Sequence, residues 1–196
     1  RVLRAQGFDC AIKAVHHAII HNDASVIIVA PSERQSAELV RKCARFLAKL
    51  EIPAKSDRSN RASLVLSNGA RIIGFPASNE RLRGFSATLL IIDEAERLTP
   101  TALELLRDRH DREHLSMILI GMPGIDQRFR HYPQLYSRLG FSHHYRALGR
   151  EELLFVLDRH WKRLGRTLDP DDFTDTQAIA AIERITRGNF RLLERL

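Results

Sequence analysis

The stretch Thr88-Leu89-Leu90-Ile91-Ile92-Asp93-Glu94-Ala95-Glu96-Arg97-Leu98-Thr99-Pro100 decides which fold this chain of 196 residues can adopt. Residues 89–92 form an apolar run with the length and branching of a strand that is buried on both faces of a parallel sheet. Asp93 and Glu94 follow at the carboxyl end of that strand, where open α/β sheets bind their ligands. A buried strand followed by an acidic helix start would give the same pattern, because acidic residues favour helix N-termini.

Two carboxylates in this position are typical of nucleotide hydrolases, in which they form the Walker B motif. The first carboxylate holds Mg²⁺ through water, and the second orients or deprotonates the water that attacks the γ-phosphate. We therefore expect Asp93 to hold Mg²⁺ and Glu94 to be catalytic, with ATP and Mg²⁺ as the cofactors.

The residues before this strand predict an α/β core. Apolar spacing indicates a helix over residues 7–21, a buried strand over 25–30, and a second helix that Ser32 and Gln35 cap and that ends at Leu50. A hairpin joins residues 64–66 to 71–75, and its Asn-Gly pair predicts a tight turn of the primed type. Helix, strand, helix, hairpin and strand in this order form a doubly wound α/β layout with a β insertion.

The residues after the central strand predict one more strand and then helices. In chain order we expect a helix from Pro100 to about His110, a strand over 115–121 and an irregular or helical stretch over 126–139. A short edge strand is expected over 143–148. Helices then follow over 151–165, over 176–186 with Asp175 as its cap, and from Phe190 onward. The fold class is therefore an α/β, three-layer sheet protein with a small C-terminal helical bundle. We predict domains at 1–149 and 150–196.

The charge of the chain suits a polyanionic partner, DNA above all. The formal net charge is +7, from 31 Lys and Arg against 24 acidic residues. Arginine richness can also reflect a GC-rich genome, and the arginines are dispersed rather than collected in one run. As DNA contacts we name Arg34, Arg41 and Arg83.

Other features of the sequence argue against several classes of protein and of site. No run approaches the roughly 18 apolar residues that span a bilayer, and no secretory leader is present. Cys10 and Cys43 lack metal-ligand spacing and are expected to be free thiols in a reducing cytoplasm. Histidine spacing does not favour zinc, no serine lies in a hydrolase elbow, and isolated aromatic residues more often belong to a core than to a base-stacking surface.

Two resemblances meet at the carboxylates. Residues 1 to about 95 resemble the ATPase core of phage terminase large subunits, the motors that package DNA, although superfamily 2 helicases share part of the pattern. The matching stretches are Val26-Ile-Ile-Val-Ala-Pro-Ser-Glu-Arg-Gln-Ser-Ala-Glu-Leu, Leu66-Ser-Asn-Gly-Ala-Arg-Ile, Arg83-Gly-Phe-Ser and Leu90-Ile-Ile-Asp-Glu-Ala. This resemblance implies a P-loop NTPase fold.

Residues from about 89 to 196 resemble AAA+ proteins of the AAA_22 kind, the ATP-binding helpers of transposition and related secretion ATPases. The matching stretches are Ile91-Ile-Asp-Glu-Ala-Glu-Arg-Leu, Ile118-Leu-Ile-Gly-Met-Pro-Gly, Tyr132-Pro-Gln-Leu-Tyr-Ser-Arg-Leu-Gly-Phe and Thr186-Arg-Gly-Asn-Phe-Arg-Leu-Leu. The resemblance implies that Arg138 is a finger reaching a neighbouring subunit's γ-phosphate and that Arg191 is the sensor arginine of a helical lid. It also implies a homo-oligomer and a protein partner such as a transposase, or a packaging component by the terminase resemblance.

The phosphate loop that both families require is missing from this sequence. The terminase-like alignment places it at residues 4–10, where Gly7 is retained as a nucleotide-binding residue, but Phe8 stands in place of Lys and Asp9 in place of Ser or Thr. Three explanations compete: a degenerate ATPase, a fragment of a longer protein, or a fusion of two lineages at the shared Asp-Glu-Ala motif. We favour fusion combined with truncation, since the chain begins at Arg1 rather than Met.

The sequence therefore predicts an AAA+-type ATP-binding domain that acts in DNA transposition or related DNA processing, with hydrolysis in question. A terminase-like packaging motor is the alternative enzyme, disfavoured because no nuclease half follows. A DNA-binding or assembly module without catalytic activity is the alternative from another class.

Overall fold

The computed structural model describes residues 3–56, 62–77, 86–167, 169 and 172–193. Arg83 lies outside these residues. The helices are α1 (Leu3–Ile20), α2 (Glu33–Lys49), α3 (Pro100–Glu113), α4 (Ile125–Phe129), α5 (Pro133–Tyr136), α6 (Arg150–Arg163), α7 (Phe173–Thr186) and α8 (Phe190–Leu193). The strands are β1 (Ser25–Ala30), β2 (Ala54–Lys55), β3 (Ser63–Leu66), β4 (Arg71–Pro76), β5 (Leu89–Ile92) and β6 (Ser116–Leu119).

The described strands form one six-stranded sheet in the order β2-β3-β4-β1-β5-β6. Strands β4, β1, β5 and β6 are parallel, whereas β2 and β3 are antiparallel additions at one edge. In the centre, β1 pairs in register with β5 from Val26–Leu89 to Val29–Ile92. The predicted α/β fold class with a hairpin insertion is confirmed.

Alternate residues of each central strand face two different apolar clusters. Val26, Ile28 and Ile91 pack with α1 and α2, and Ile27, Val29 and Ile92 pack with α3, α4 and α5. Because both faces are covered, the strands carry apolar residues at nearly every position, which is the pattern that made residues 89–92 recognisable. The sheet is therefore the middle layer of three.

The turn between β3 and β4 differs from the primed turn expected of an Asn-Gly pair. Only Gly69 has a positive φ, +81°, whereas a type I′ turn needs two such residues. The Gly69 amide donates to the Leu66 carbonyl at 3.2 Å, as in a turn followed by a glycine bulge. Asn68 instead uses its side chain, which donates to the Ala18 carbonyl at 2.9 Å and holds the end of α1. Tertiary contact overrode the local turn preference.

Three other local predictions are wrong. Helix α1 begins at Leu3 rather than Gly7, which extends it over the residues expected to form a loop. Residues 143–148 form no strand, although a short edge strand was expected there. Asp172, not Asp175, caps α7, since its carboxylate accepts from the Thr174 amide at 2.7 Å.

The chain divides into two compact units. One unit is Gln6–Ser142, which holds the sheet; the other contains His143–Leu196 together with the start of α1. In the second unit, Leu153, Leu157, Ile179 and Leu193 form a separate small core. The division falls after Ser142, whereas the sequence suggested a boundary at Arg150, and the role of the second unit as a lid stays a prediction.

No helix in the described part of the chain is both long and apolar enough to cross a membrane. Cys10 and Cys43 are free and fully buried in the cluster under α1 and α2.

A polar cluster closes the amino end of the central strands. The Thr88 hydroxyl donates to the Ser25 carbonyl and accepts from the Ser25 amide, both at 3.1 Å. The His17 ring lies 3.2 Å from the same hydroxyl and 4.4 Å from the His21 ring. Partial burial, then the nearby His21 and His16, lower the pKa of His17 from its ordinary 6.5.

We expect the free energy of unfolding to fall as the pH drops through 6.5, and His17→Gln to weaken this dependence. The sign follows because the unfolded chain takes up the His17 proton at a higher pH than the folded chain does. Melting temperatures above and below pH 6.5 measure the effect, with the exposed His131→Gln as the control. The same pH dependence in wild type and His17→Gln would contradict it.

Candidate functional site

The site lies where β5 ends and the chain reverses. The Asp93 amide still donates to the Val29 carbonyl at 2.8 Å, so the sheet ladder reaches one residue beyond β5. Glu94 then adopts a left-handed conformation, with φ 53° and ψ 45°, and a single 3₁₀ turn follows over Ala95–Arg97. Such a backbone costs about 1–2 kcal/mol for a non-glycine residue. That Glu94 adopts it shows that tertiary contacts hold this turn in place.

Asp93 is a half-buried carboxylate with spare acceptor capacity. Its Oδ1 accepts from the Glu94 amide at 3.1 Å. Burial raises the pKa of Asp93, and the charges of Glu94 and Glu96 raise it further, against the Glu94 amide bond and Lys42, which lower it. A cation bound here would stabilise the charged form. The environment therefore fits a divalent ion.

Glu94 is held by both of its carboxylate oxygens. Gln35 Nε2 donates to Oε1 at 2.9 Å, and Arg97 Nε lies 2.7 Å from Oε2. The Glu94 side chain is only 14% exposed. Its carboxylate is thus oriented by α2 on one side and by its own 3₁₀ turn on the other.

Gln35 is a site residue that sequence reasoning placed only in a helix cap. The Ser32 hydroxyl accepts from the Gln35 amide at 3.3 Å and donates to Gln35 Oε1 at 2.8 Å. Because the side-chain oxygen is taken by Ser32, the side-chain nitrogen points to Glu94. The capping box was a sequence signal for Ser32 and Gln35, but the contact with Glu94 depends on the register between β1 and β5.

A third carboxylate, Glu96, ties the turn to the end of β6. Its Oε2 accepts from the Met122 amide at 3.3 Å. A Cβ at Gly121 would lie 2.8 Å from the same oxygen and would also meet Ile125. The Ala95 amide donates to the Ile120 carbonyl at 2.8 Å. The glycine thus leaves room for Glu96 beside the loop after β6.

Helix α1 is linked to the site electrostatically, through Cys10. Burial raises the pKa of the Cys10 thiol well above its ordinary value, and the charge of Asp93 is the next cause. Cys10 and Asp93 are thus electrostatic neighbours. Gly7, the residue predicted to bind nucleotide, lies less than one turn before Cys10 within the helix, so its backbone is helical rather than part of a loop. Its role in nucleotide binding stays a prediction.

Arg138 contacts Asp111 rather than the carboxylates at the end of β5. Its Nε and Nη2 atoms lie 3.2 and 3.1 Å from the two Asp111 oxygens, a bidentate pair. Its Nη1 donates to the Gln134 carbonyl at 3.0 Å and to the Ser137 hydroxyl at 2.8 Å. The Arg138 hydrogen bond lowers the pKa of Asp111. The Arg138 side chain is 37% exposed, so it is accessible from solvent although its guanidinium is paired to Asp111.

The remaining predicted residues that the structure describes lie on two other helices, α8 and α2. Arg191 belongs to α8 in the helical unit, whereas Asp93, Glu94 and Arg138 belong to the sheet unit. Arg34 and Arg41 lie on the exposed face of α2, with Arg41 paired to Glu38 at 2.8 Å. The described contacts therefore bring together Asp93 and Glu94, but not the predicted arginines.

Solved structures share part of the fold of this chain. The ATPase domain of a Thermus phage large terminase matches with a TM-score of 0.51 and 16% identity, over 62% of this chain and 56% of that one. The large terminase of a thermophilic bacteriophage matches with a TM-score of 0.54 and 13% identity, over 78% of this chain and 40% of that one. At such identities the likeness concerns the fold, which is P-loop NTPase-like as the sequence predicted.

A curated relative shares much more sequence over a shorter stretch. A "Potential ATP-binding protein" of Staphylococcus aureus is 49% identical over 108 residues, which are 55% of this chain and 40% of the relative. The match thus covers less than half the length of that relative.

One family model matches residues 10–129, which is more than half of the chain, and its description is an AAA domain (AAA_22). The match runs through Asp93-Glu94-Ala95 from one predicted half into the other. A fusion of two lineages at that motif is therefore not needed to explain the sequence. The predicted resemblance is confirmed: the chain belongs to the AAA domain family AAA_22.

Proposed function

We propose that this chain is an ATP-binding domain that hydrolyses ATP in DNA transposition or related DNA processing in the cytoplasm. The observation that carries the proposal is the carboxylate pair at the carboxyl end of β5, with Glu94 fixed by Gln35 and Arg97. Family membership and the name of the Staphylococcus aureus relative support ATP as the nucleotide.

Asp93 is the residue that would hold Mg²⁺. No group of three metal-ligating side chains occurs among the described residues, so phosphate and water would supply most of the ligands. This suits Mg²⁺, which keeps several waters and uses one or two carboxylates together with phosphates. The bound ion would offset the phosphate charge, and Glu94 would orient or deprotonate the water.

Arg138 would serve a neighbouring copy of the chain rather than its own site. Its planar guanidinium and its exposure suit an exchange of the Asp111 carboxylate for the phosphate of another subunit. Arg191 would contact the nucleotide of its own subunit by the family pattern, and Gly7 would lie near the phosphates. A homo-oligomer and a protein partner such as a transposase are parts of the same proposal.

Two residues favour a second candidate, a DNA-binding or assembly module without turnover. Phe8 and Asp9 stand where the phosphate-loop Lys and Ser or Thr belong. They remove one charge that attracts phosphate and add one that repels it. At close range this change weakens phosphate binding by several kcal/mol. A terminase-like packaging motor is the other enzyme candidate, and it is supported by the fold likeness alone.

Nucleotide binding and hydrolysis, each measured with and without duplex DNA, test the proposal. We expect the melting temperature of the chain to rise with ATP and Mg²⁺ together, and phosphate to be released faster when DNA is present. Binding without release would favour the module without turnover. If millimolar ATP with Mg²⁺ leaves the melting temperature unchanged, the enzyme proposals fail for this chain.

A further inference from the structure

The outer face of α2 is a basic stripe, formed by Arg34, Arg41, Arg45 and Lys49. All four residues are exposed, and helical spacing places them within about 80° around the axis. The opposite face is buried against the sheet through Ser36, Leu39, Val40, Cys43 and Leu47. Packing of this buried face against the sheet therefore determines which way the basic stripe faces.

The charge of this stripe is not compensated within the described part of the chain. The side chains of Arg34, Arg45 and Lys49 make no hydrogen bond or ion pair with a described residue, and Arg41 pairs only with the partly exposed Glu38. The arginines of α3, on the other side of the sheet, behave differently. Arg107, Arg109 and Arg112 all pair with acids of their own helix at 2.7–3.5 Å. Two helices of similar length therefore present opposite electrostatic surfaces.

We propose that the basic stripe binds the phosphate backbone of duplex DNA. Charge complementarity selects this partner: α2 carries five basic residues against two acids, whereas α3 carries three arginines against four acids. From Arg34 to Lys49 the helix rises about 22 Å, which matches roughly six base pairs at 3.4 Å each. The stripe consists of arginine and lysine alone, so we expect it to bind phosphates without recognising particular bases.

The contact deepens the DNA part of the proposed function but does not depend on ATP turnover. Four phosphate contacts predict a slope of log K against log salt of about −3.6, and therefore a loss of roughly 100-fold in affinity between 50 and 200 mM salt. Removing two contacts should reduce the slope by about 2 and the loss to about 10-fold.

The test is the binding of the whole chain to a fluorescent DNA duplex, without nucleotide, over that range of salt. The variant Arg45→Gln with Lys49→Gln removes two stripe cations that have no described partner, and Gln is a good helix former. The control, Arg112→Gln with Lys162→Gln, removes the same charge from two exposed residues on other helices. Arg112 pairs with Asp108 at 3.0 Å, and Lys162 pairs with Asp158 at 2.7 Å. Unchanged melting temperatures for both variants check that the fold is retained.

We expect weaker binding and a shallower salt slope for the stripe variant alone. Equal weakening in the control would mean that net charge rather than the stripe binds DNA, and would overturn the proposal. Binding of the wild type to anionic lipid vesicles with no binding to DNA would overturn it too. Failure of ATP hydrolysis leaves this result unaffected, so the two proposals fail separately.

Discussion

Asp93→Asn is expected to raise the melting temperature of the chain without ligand and to abolish its stabilisation by ATP and Mg²⁺. Burial raises the pKa of Asp93, and the charges of Glu94 and Glu96 raise it further, so its ionised form is costly in the folded state. Asparagine has the same shape, and its oxygen can still accept from the Glu94 amide. It removes the buried charge and with it the group that would hold the cation.

The sign of the pH dependence follows from the same shift. The folded chain binds the Asp93 proton more readily than the unfolded chain, in which the pKa of Asp93 is near 3.8. The ionised carboxylate therefore costs stability above its folded pKa, and that cost disappears as the pH falls toward 3.8. The advantage of Asp93→Asn should accordingly be full at neutral pH and shrink on acidification.

Thermal melts with EDTA, with Mg²⁺, and with ATP and Mg²⁺ together measure both parts of this prediction. A ligand at 100 times its dissociation constant stabilises the wild type by about 2.7 kcal/mol, and each kcal/mol shifts the melting temperature by about 2–4 °C in a chain of this size. Asp108→Asn makes the same chemical change at a carboxylate that pairs with Arg112 on α3, and should give neither effect. An unchanged response to ATP and Mg²⁺ in Asp93→Asn would contradict the assignment of Asp93.

The predictions that succeeded depend on burial, which a sequence displays directly. A strand covered on both faces must be apolar at almost every position, and so Ser25–Ala30 was found with its observed bounds. The same reasoning placed Asp93 and Glu94 at the end of β5, because a parallel sheet gathers the carboxyl ends of its strands at one edge.

The parts that could not be predicted are contacts between distant side chains. Gln35 and Glu94 lie 59 positions apart, and Arg138 and Asp111 lie 27 apart. Neither pair has a local signature, since the geometry depends on strand register and on where α3 and α5 pack. The strand expected over residues 143–148 failed for a related reason. A strand forms only where a neighbour supplies hydrogen bonds along its length, and the described neighbour, Gly188, accepts a single bond from the Leu148 amide.

That bond marks the position where we expect the largest effect on stability. Gly188 is buried just after α7, has a φ of +71°, and accepts from the Leu148 amide at 2.9 Å. A Cβ there would collide with the Leu148 carbonyl oxygen and lie 3.0 Å from its nitrogen. Both atoms belong to the backbone, so no side-chain rotation can relieve the contact. Leu148 also packs on the core of the helical unit, and displacing it would disturb that core.

Gly165 offers a matched control in the same unit, because its φ is +72° but nothing lies within 4 Å of its added Cβ. Gly165→Ala should therefore cost only the left-handed conformation, about 1 kcal/mol, whereas Gly188→Ala should cost that and a further 1–3 kcal/mol, roughly, for the forced backbone shift. Trp161 is the one tryptophan of the sequence and packs on the core of the helical unit, so its fluorescence during urea unfolding reports on this unit. Equal losses in the two variants would show that conformation alone explains Gly188. A larger loss at Gly188 would show that its close approach to Leu148 helps hold the segment before α6 to the turn after α7.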